Sequence, residues 1–454
     1  MSNMDPLQGK RLLILGLARQ GKVLARFAAG VGAQVVVSDL RPATALQAEM
    51  AELVDLEIEY VLGEHPMRLL DNVDMVAISG SVPADAPLIV EARRRGLPIT
   101  NDSQEFIRRT PTAVIGITGS AGKTTTTALT GVMGQVGGRR TWVGGNIGRP
   151  LLADLHKMAA DDMVVQELSS FQLEIWQQSP PVAAVLNITP NHLDRHKTMG
   201  AYIAAKANIL RHQSETAVAV LSADDSGSLA LSKLVRGRLR LFSAERPVAD
   251  GAFVYNGYIY LRDGERETAV CTLNDIQLRG RHNVRNVLAA VTLADSVGIE
   301  PQAMRQAIRT FHGVEHRLEQ VAVIQGVTYV NDSIATAPER ALAALSAFDE
   351  PLVLLAGGRD KEMVWEAWAE QVAGRVRHTI LFGQLAPKLA GLLTAVSAPF
   401  TQVGTLAEAV EAAGKTAQPG DIVLLSPGGT SYDTYQDFAE RGEHFRQLVA
   451  ERQS

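Results

Sequence analysis

The chain has 454 residues, of which 46% are hydrophobic and 20% are charged, and this length predicts about three globular domains with substantial cores. The formal net charge is −5, which gives no basic surface for nucleic acid or anionic membranes. Cys271 is the single cysteine, so neither an intrachain disulfide nor a cysteine metal cage is expected. The sequence shows no signal-peptide pattern and no run near the ~18 apolar residues of a membrane span. We therefore expect a soluble cytoplasmic protein.

In the first third, short apolar runs alternate with helical patterns, which is typical of parallel α/β units. The predicted strands are Arg11–Leu15, Gln34–Ser38 and Met75–Ile78. The first strand leads into Gly16-Leu-Ala-Arg-Gln-Gly21, which has the spacing of a dinucleotide-binding turn but carries Ala18 at the middle glycine. Asp39 follows the second strand. Taken alone, this turn has two interpretations of equal weight: a ligand site, or a simple strand-to-helix connection that binds no ligand. The break at Arg108-Arg109-Thr110-Pro111 places the first domain at residues 1–110.

The middle third opens with a phosphate loop, Gly116-Ile-Thr-Gly-Ser-Ala-Gly-Lys-Thr-Thr-Thr-Thr127, directly after the apolar run Ala113–Ile117. Its glycines let backbone amides turn toward a phosphate, its lysine supplies positive charge, and a threonine hydroxyl can reach Mg²⁺ at a helix N-terminus. The usual G-x-x-x-x-G-K-[ST] spacing would require glycine at Ile117, so the signature is T-G-x-x-G-K-T. No N-K-x-D sequence is present to read guanine, and ATP is favoured. The predicted ATP contacts in the loop are Gly119, Ser120, Ala121, Gly122, Lys123, Thr124 and Thr125.

Polar residues follow the next strands of this domain, at the sheet edge where the phosphate loop should lie. Glu167 follows the predicted strand Met163–Gln166, and His192 and Asp194 follow Val182–Ile188. Together they could hold Mg²⁺ against the nucleotide phosphates.

Later features of the middle third leave more than one interpretation open. Lys206 lies in a helical pattern and, from that pattern alone, is a surface lysine. Asn283 and Asn286 open a helix and could be caps. Asn256-Gly257 predicts a two-residue hairpin. We place this domain at residues 111–313.

The last third, residues 314–454, again shows alternating strands and helices. Its predicted strands are Val327–Val330, Leu352–Ala356, Thr379–Phe382 and Ile422–Leu425. Polar clusters adjoin these strands: His316-Arg317, Asn331 to Thr336, Gly357 to Lys361 and Ser426 to Ser431. Hydroxyl groups and cations gathered at one sheet edge suit an anionic substrate with carboxylates.

Taken together, these residues resemble the Mur ligase superfamily, and the resemblance covers essentially the whole chain. The motifs that carry it are Thr118 to Thr124, Gly144-Gly-Asn-Ile-Gly148, Glu167 to Leu173, His192-Leu-Asp-Arg195, Ala204-Ala-Lys206, His282-Asn283 with Asn286, His316-Arg317, Asn331-Asp-Ser333 and Ser426 to Asp433. The resemblance is strongest to the branch that adds D-glutamate to UDP-N-acetylmuramoyl-L-alanine in peptidoglycan precursor synthesis.

The resemblance implies an α/β protein of three domains. The first is Rossmann-like and binds UDP, the second is a phosphate-loop ATPase-type domain with a small antiparallel sheet, and the third is Rossmann-like and binds the amino acid. It also implies a monomeric enzyme that uses ATP and two Mg²⁺ ions. ATP phosphorylates the substrate carboxylate, and the amine of D-glutamate then displaces phosphate to form an amide.

The same resemblance implies roles for individual residues. Lys123, His192 and Lys206 would be catalytic. Metal contacts would come from Thr124, Glu167, His192 and Lys206, the last as a carbamate. Further ATP contacts would come from Asn283, Arg317 and Asp332. UDP-sugar contacts would come from Arg19, Gln20, Asp39, Arg41 and Asn146. Glutamate contacts would come from Thr336, Lys361, Ser431 and Phe438.

The chain departs from the family pattern in several places: Ser120-Ala121 in the phosphate loop, Ala18 and Arg19-Gln20 in the first turn, Ser79 to Pro83, and the Ser426 to Ser431 run, which lacks the family's usual cysteine. We expect ATP binding to survive, because the loop loses a side-chain amide but no backbone donor. The alternatives are another Mur-type or folylpolyglutamate-type ligase, and a phosphate-loop NTPase that acts as a regulatory module.

Overall fold

Three β-sheets with flanking helices form the fold of this computed structural model, which describes residues 4–80, 82–278, 280–361 and 363–453. The chain divides into two units. The first comprises Met1–Ile276 with Arg281–Phe311 and contains two of the sheets, and the second comprises Gln277–Gly280 with His312–Ser454. The predicted α/β fold of three domains is confirmed, while the exact domain limits stay a prediction.

The first sheet is entirely parallel and has the strand order β3-β2-β1-β4-β5. Its strands are β1 (Arg11–Leu15), β2 (Gln34–Asp39), β3 (Ile58–Leu62), β4 (Met75–Ile78) and β5 (Ile99–Thr100). The helices are α1 (Arg19–Gly30), α2 (Gln47–Ala51), α3 (Pro87–Arg94) and α4 (Asp102–Arg109). Strand order reverses between β1 and β4, and ligands of such sheets bind in the crevice outside the carboxyl ends of the two strands there.

The second sheet has the order β14-β13-β12-β11-β10-β9-β6-β8-β7. Its strands are β6 (Val114–Thr118), β7 (Thr141–Gly145), β8 (Met163–Glu167), β9 (Val182–Val185), β10 (Val218–Ser222), β11 (Arg238–Ser243), β12 (Gly251–Tyr255), β13 (Tyr258–Asp263) and β14 (Arg266–Thr272). The helices are α5 (Lys123–Val136), α6 (Ser170–Leu173), α7 (Leu193–His196), α8 (Met199–Arg211), α9 (Ser226–Leu229), α10 (Arg281–Asp295) and α11 (Pro301–Thr310). The antiparallel strands extend the parallel sheet through the pairing of β11 with β12.

The third sheet lies in the second unit and has the order β15-β16-β20-β17-β18-β19. Its strands are β15 (Glu319–Ile324), β16 (Val327–Asn331), β17 (Leu352–Gly357), β18 (Val376–Phe382), β19 (Phe400–Gln402) and β20 (Ile422–Gly428). The helices are α12 (Pro338–Leu345), α13 (Glu366–Arg375), α14 (Ala386–Ala395), α15 (Leu406–Thr416) and α16 (Phe438–Glu451). Alternate residues of β17 join apolar cores on opposite faces, as expected of a strand covered by helices on both sides.

Hydrogen bonds join the regions of the first two sheets. Asn101 caps α4 and donates from Nδ2 to the Gln172 carbonyl at 2.9 Å, while its Oδ1 accepts from the Trp176 indole at 3.3 Å. The Gln177 amide donates to the Gln104 side chain at 2.9 Å. One apolar core also runs through both regions, so the two sheets form a continuous unit.

The strands predicted from apolar runs are all present. At Asn256-Gly257 both residues have positive φ, 46° and 79°, between β12 and β13, and the hairpin is confirmed. The edge strands β3, β7 and β19 were not predicted, because their half-exposed residues form no continuous apolar run. Over the described residues, no helix is both long and apolar enough to cross a membrane.

Replacing Gly21 with alanine should destabilise the first sheet. A Cβ there would overlap the Gly16 carbonyl oxygen, because α1 lies close against the turn that follows β1. Overpacking of this kind costs ~1–3 kcal/mol, which thermal melting would detect.

Gly30→Ala is the matched control in the same helix, since Gly30 has nothing within 4 Å of the added Cβ. Alanine is favoured over glycine in helices by up to ~1 kcal/mol, so the control should melt at or above the temperature of the unmodified protein. Equal melting of the two variants would contradict the close approach.

Candidate functional site

The phosphate loop connects β6 to α5 and is shaped by Gly122. This residue precedes the helix with φ 81°, in the left-handed region that glycine tolerates. A Cβ at Gly122 would also collide with the Asn286 side-chain oxygen. Both constraints require glycine here. The first-turn amides of α5 therefore start at a tight turn, where a helix leaves donors available to a phosphate.

Asn187, two residues after the end of β9, holds Ser120 and Ala121 of the phosphate loop. Its Oδ1 accepts from the Ala121 amide at 2.8 Å, its Nδ2 donates to the Ala121 carbonyl at 3.0 Å, and its own carbonyl accepts from the Ser120 amide at 3.0 Å. The Ser120 hydroxyl lies 2.9 Å from the Tyr202 hydroxyl. The amides of Ser120 and Ala121, two of the predicted ATP contacts, are thus bonded within the protein. The backbone donors that stay predicted for a phosphate are those of Gly122 to Thr125.

Glu167 ends β8 and is only 1% exposed. Its Oε2 accepts from the Thr124 hydroxyl at 2.9 Å, and its Oε1 accepts from Nδ2 of Asn146 at 2.8 Å. The structure therefore brings Thr124, Asn146 and Glu167 together beside the phosphate loop. A hydroxyl and a carboxylate at a phosphate site are the oxygen ligands that Mg²⁺ prefers.

Lys206 is 1% exposed, so its assignment to the surface from the helical pattern is wrong. Its Nζ donates to the Gly119 carbonyl at 2.8 Å and to the Thr118 hydroxyl at 3.3 Å. Burial and the nearby Lys123 charge lower the pKa of Lys206 to about 6, against the opposing effect of Glu167. The pattern failed because α8 is rich in alanine and apolar on several faces, so it does not reveal which side faces the core.

His192 lies directly before α7 with φ 53°. Its ring contacts Phe171 of α6 in an edge-on arrangement with a centroid distance of 5.0 Å. Because α6 begins shortly after Glu167, the histidine lies in the same region as the buried carboxylate. The sequence analysis also named Ser81, within Ser79 to Pro83, and Asp194. Ser81 and the side chain of Asp194 lie outside the part of the chain that the structure describes.

A cavity of about 300 Å³ adjoins the phosphate loop. It is lined by Ala121, Gly122, Leu186, Asn187, Thr189, Ser222, Asp224, Asp225, Phe242, His282, Arg285 and Asn286. The Asn286 side chain, which lines the cavity, donates to Oδ1 of Asn283 at 2.8 Å, so the second asparagine of α10 is hydrogen-bonded to a residue of the wall. A cavity of mixed polarity next to a phosphate loop suits a nucleoside.

The crevice of the first sheet gathers most of the predicted UDP-sugar contacts. Asp39 accepts from the Leu17 amide at 2.8 Å and pairs with Arg41 at 2.9 Å. Despite partial burial, these hydrogen bonds lower the pKa of Asp39 to about 2. Gln20 accepts from the Gly80 amide at 2.9 Å.

The Arg19 side chain differs from Gln20, Asp39 and Arg41 because it bonds to the region of the second sheet. Its guanidinium donates to the backbone carbonyls of Asn146 and Gly148, in the loop after β7. It therefore links the turn after β1 to the loop whose asparagine holds Glu167.

In the second unit, Asp332 follows β16 and is buried. Its carboxylate accepts from the Ser426 hydroxyl at 2.9 Å and from the Leu318 amide at 3.2 Å. Burial raises the pKa of Asp332 to about 7, although these bonds and the Arg317 charge oppose the shift. Arg317 and Asp332, both predicted ATP contacts, are thus neighbours.

Three of the predicted glutamate contacts, Thr336, Ser431 and Lys361, lie in the loops after the adjacent strands β16, β20 and β17, and the fourth, Phe438, is the first residue of α16. Ser431 is buried, Phe438 is half-exposed at 36%, and Thr336 is partly buried. The Lys361 ammonium is exposed and lies 5.9 Å from the ring centroid of Tyr432. Hydroxyl and ammonium groups at one sheet edge are suited to carboxylates.

Sequence reasoning missed Arg441, which is fully buried and connects these loops. Its guanidinium donates to the Ser333 hydroxyl at 3.0 Å, to the Ser333 carbonyl at 2.8 Å and to the Gly429 carbonyl at 3.1 Å. Asn187 was missed as well. Neither residue belongs to a short motif whose chemistry can be read locally, so no sequence signal identified them.

Within the described residues there is no group of three or more His, Cys, Asp and Glu side chains arranged to hold a metal. The donor set at the phosphate loop is nevertheless compatible with Mg²⁺, because Thr124 and Glu167 already meet through their oxygens. An ion that keeps several water and phosphate ligands needs only one or two protein oxygens.

Three family descriptions match successive parts of the chain. They are the Mur ligase MurD-like N-terminal domain over residues 10–101, the Mur ligase middle domain over 117–294, and the Mur ligase glutamate ligase domain over 316–429. The predicted resemblance is therefore confirmed.

Relatives align over nearly the whole chain. A "UDP-N-acetylmuramoylalanine--D-glutamate ligase" of Symbiobacterium thermophilum is 41% identical over 444 residues, covering 97% of this chain and 98% of that protein. One of the same name from Clostridium tetani is 38% identical over 450 residues, covering 98% and 97%. The solved structure of UDP-N-acetylmuramate-alanine ligase MurC from Thermotoga maritima shares the fold, with a TM-score of 0.58 at 18% identity over 98% of this chain and 100% of that one. On these grounds, this chain belongs to the Mur ligase family.

Proposed function

We propose that the protein is an ATP-dependent ligase that joins D-glutamate to UDP-N-acetylmuramoyl-L-alanine, in peptidoglycan precursor synthesis for cell-wall growth, cell shape and division. The observation that carries the proposal is the full-length similarity to ligases of that name, at 41% identity for the Symbiobacterium thermophilum protein. The phosphate loop, its adjoining cavity and the buried carboxylate support the ATP-dependent half of the reaction. We further propose that the enzyme is a cytoplasmic monomer.

The proposed reaction has two steps that balance without a redox partner. A carboxylate oxygen of the alanyl group attacks the γ-phosphorus of ATP, and ADP leaves. The D-glutamate amine then attacks the carbonyl carbon of the acyl phosphate, loses a proton, and inorganic phosphate departs to leave an amide. The first step brings two anions together, so positive charge must offset their repulsion.

The ammonium of Lys123 supplies positive charge beside the loop. The ammonium of Lys123 and the amine of Lys206 both donate to the Gly119 carbonyl, at 2.9 and 2.8 Å. An incoming phosphate would be an anionic partner for the Lys123 ammonium. Thr124 and Glu167 would hold Mg²⁺, with His192 at a second ion, and bound Mg²⁺ would neutralise phosphate charge.

We propose that Lys206 carries a carbamate. The lowered pKa leaves the amine largely neutral at pH 7, and only a neutral amine adds to carbon dioxide, forming an N–C bond and releasing a proton. The product would be a carboxylate next to the phosphate loop, suited to a metal.

In the second unit, we propose that Thr336, Lys361, Ser431 and Phe438 receive glutamate, while Arg317 and Asp332 contact ATP. The exposed ammonium of Lys361 and the buried hydroxyl of Ser431 are the groups that suit its two carboxylates. The remaining predicted UDP-sugar contacts, Asp39, Arg41 and Gln20, would act in the crevice of the first sheet.

Phosphate release should require both substrates. With ATP, Mg²⁺ and UDP-N-acetylmuramoyl-L-alanine, each amino acid is tested singly, and we expect release and a new amide only with D-glutamate. L-glutamate and L-alanine serve as controls for stereochemistry and for other Mur-type reactions, and a folate substrate tests the folylpolyglutamate alternative. Equal hydrolysis without any acceptor would instead support the regulatory NTPase.

Lys206→Ala should lower kcat by about 100-fold, the upper range for loss of a group that supports a metal site. Acetate, formate or bicarbonate should restore part of the activity, because a small carboxylate can enter the space left by the side chain. Lys206→Arg is the matched control, since it keeps a cation but cannot form a carbamate and leaves no space. Full activity of the alanine variant would remove Lys206 from the proposed mechanism.

Lys361→Ala should raise the KM for D-glutamate by ~10- to 100-fold, because a hydrogen bond to a charged group contributes ~1.5–3 kcal/mol. The KM values for ATP and the UDP-sugar should change little in steady-state assays. Lys415→Ala is the control, as that ammonium already pairs with Glu411 at 2.5 Å on α15. An equal effect of both substitutions would argue against a specific carboxylate contact.

A further inference from the structure

Arg195 lies in α7, three residues after His192, and its guanidinium reaches the loop that follows β4. Its Nη1 donates to the Gly80 carbonyl at 2.7 Å and its Nη2 donates to the Val82 carbonyl at 2.6 Å. The planar fork of arginine can bond both carbonyls at once, which lysine cannot do. Arg195, which belongs to the region of the second sheet, therefore bonds two residues of the loop after β4 in the region of the first sheet.

The loop after β4 borders the ligand crevice of the first sheet. Strand order reverses between β1 and β4, so the crevice lies beyond the ends of these two strands. The loop is also held from the crevice side, where the Gly80 amide donates to Gln20 at 2.9 Å. The Gly80 amide is thus bonded to the Gln20 side chain, and the Gly80 carbonyl is bonded to Arg195.

At its other side, Arg195 packs against the region of the buried carboxylate. Its guanidinium carbon lies 4.1 Å from the ring centroid of Phe171 in α6, a cation–π distance. The same ring contacts His192 edge-on at 5.0 Å and stacks with His196 at 5.3 Å. His196 is buried and its Nε2 lies 2.9 Å from the Ser170 hydroxyl. Helix α7 is therefore fixed against α6, which follows Glu167.

The backbone at both ends of α7 is strained. His192 has φ 53° and Lys197 has φ 64°, although neither is glycine. Such conformations persist where surrounding contacts over-determine them. The two hydrogen bonds of Arg195 are among the contacts that can do so, and they depend on where the loop after β4 lies.

We propose that Arg195 is a positioning residue that couples occupancy of the crevice to the placement of His192. A UDP-sugar that orders the loop at Gly80 and Val82 would fix the arginine fork, and with it α7 and the histidine before it. The inference rests on the proposed function for the identity of the crevice ligand. Its consequence is that UDP-sugar and ATP strengthen each other's binding.

The test is a linkage measurement that involves no turnover. The affinity of a non-hydrolysable ATP analogue with Mg²⁺ is measured calorimetrically with and without saturating UDP-N-acetylmuramoyl-L-alanine. We expect the sugar to tighten the analogue at least about fivefold in the unmodified enzyme, and the analogue must tighten the sugar equally. In Arg195→Ala the factor by which the UDP-sugar tightens binding of the ATP analogue should fall to about one, while each ligand alone still binds.

A second readout needs neither ATP nor metal. UDP-N-acetylmuramoyl-L-alanine alone should slow amide hydrogen exchange of the segment 189–199 in the unmodified protein but not in Arg195→Ala. Arg195→Lys keeps the positive charge but loses the planar guanidinium that bonds two carbonyls. It replaces the alanine variant in the experiment if that variant does not fold. It too should lose the coupling.

Gln178→Ala is the matched control, because Gln178 also bonds across the two regions, from Nε2 to the Ile107 carbonyl at 3.4 Å. It should retain the full factor. The proposal would be overturned if the UDP-sugar did not tighten binding of the ATP analogue in the unmodified enzyme. It would also be overturned if both Arg195 variants kept the tightening of the unmodified enzyme. Failure of the proposed function would be recognised separately, as absence of amide formation with D-glutamate by an enzyme that still binds its ligands.

Discussion

Glu167 brings a carboxylate into a position that is almost inaccessible to water, and a buried carboxylate is costly unless hydrogen bonds satisfy it. Thr124 and Asn146 provide those bonds, one to each oxygen. They come from the connections that follow β6 and β7, on either side of β8, which carries Glu167 at its end. The pairing of these three strands therefore determines the central site, and Arg19 ties the same asparagine loop to the turn after β1.

Two lysine side chains lie beside this carboxylate at the phosphate loop. Lys123 and Lys206 share the Gly119 carbonyl as an acceptor. Burial beside Lys123 lowers the pKa of Lys206, so the protein accommodates two amines by leaving one largely neutral. This arrangement is the basis of the proposed phosphate contact of Lys123 and of the proposed carbamate on Lys206.

The second unit shows the same principle with different chemistry. Arg441 is fully buried, and burial lowers its pKa to about 10. It bonds to Ser333 and to Gly429 and so holds the loops after β16 and β20 together. Ser431 and Phe438 lie in the chain segment that these bonds restrain. In both units a buried charged side chain fixes loops at the carboxyl edge of a sheet, where ligands of α/β folds bind.

The sequence by itself determined the parts whose chemistry is local. Apolar runs identified the central strands, Asn256-Gly257 identified a hairpin, and the glycines with Lys123 identified the phosphate loop, because each depends on backbone preferences within a few residues. Only the tertiary structure decided that Lys206 is buried, that Arg19 bonds to the loop after β7, and that Asn187, Arg195 and Arg441 hold the site loops. Those outcomes depend on partners far away in the chain, and a helical pattern with apolar residues on several faces does not show which side chains will meet them.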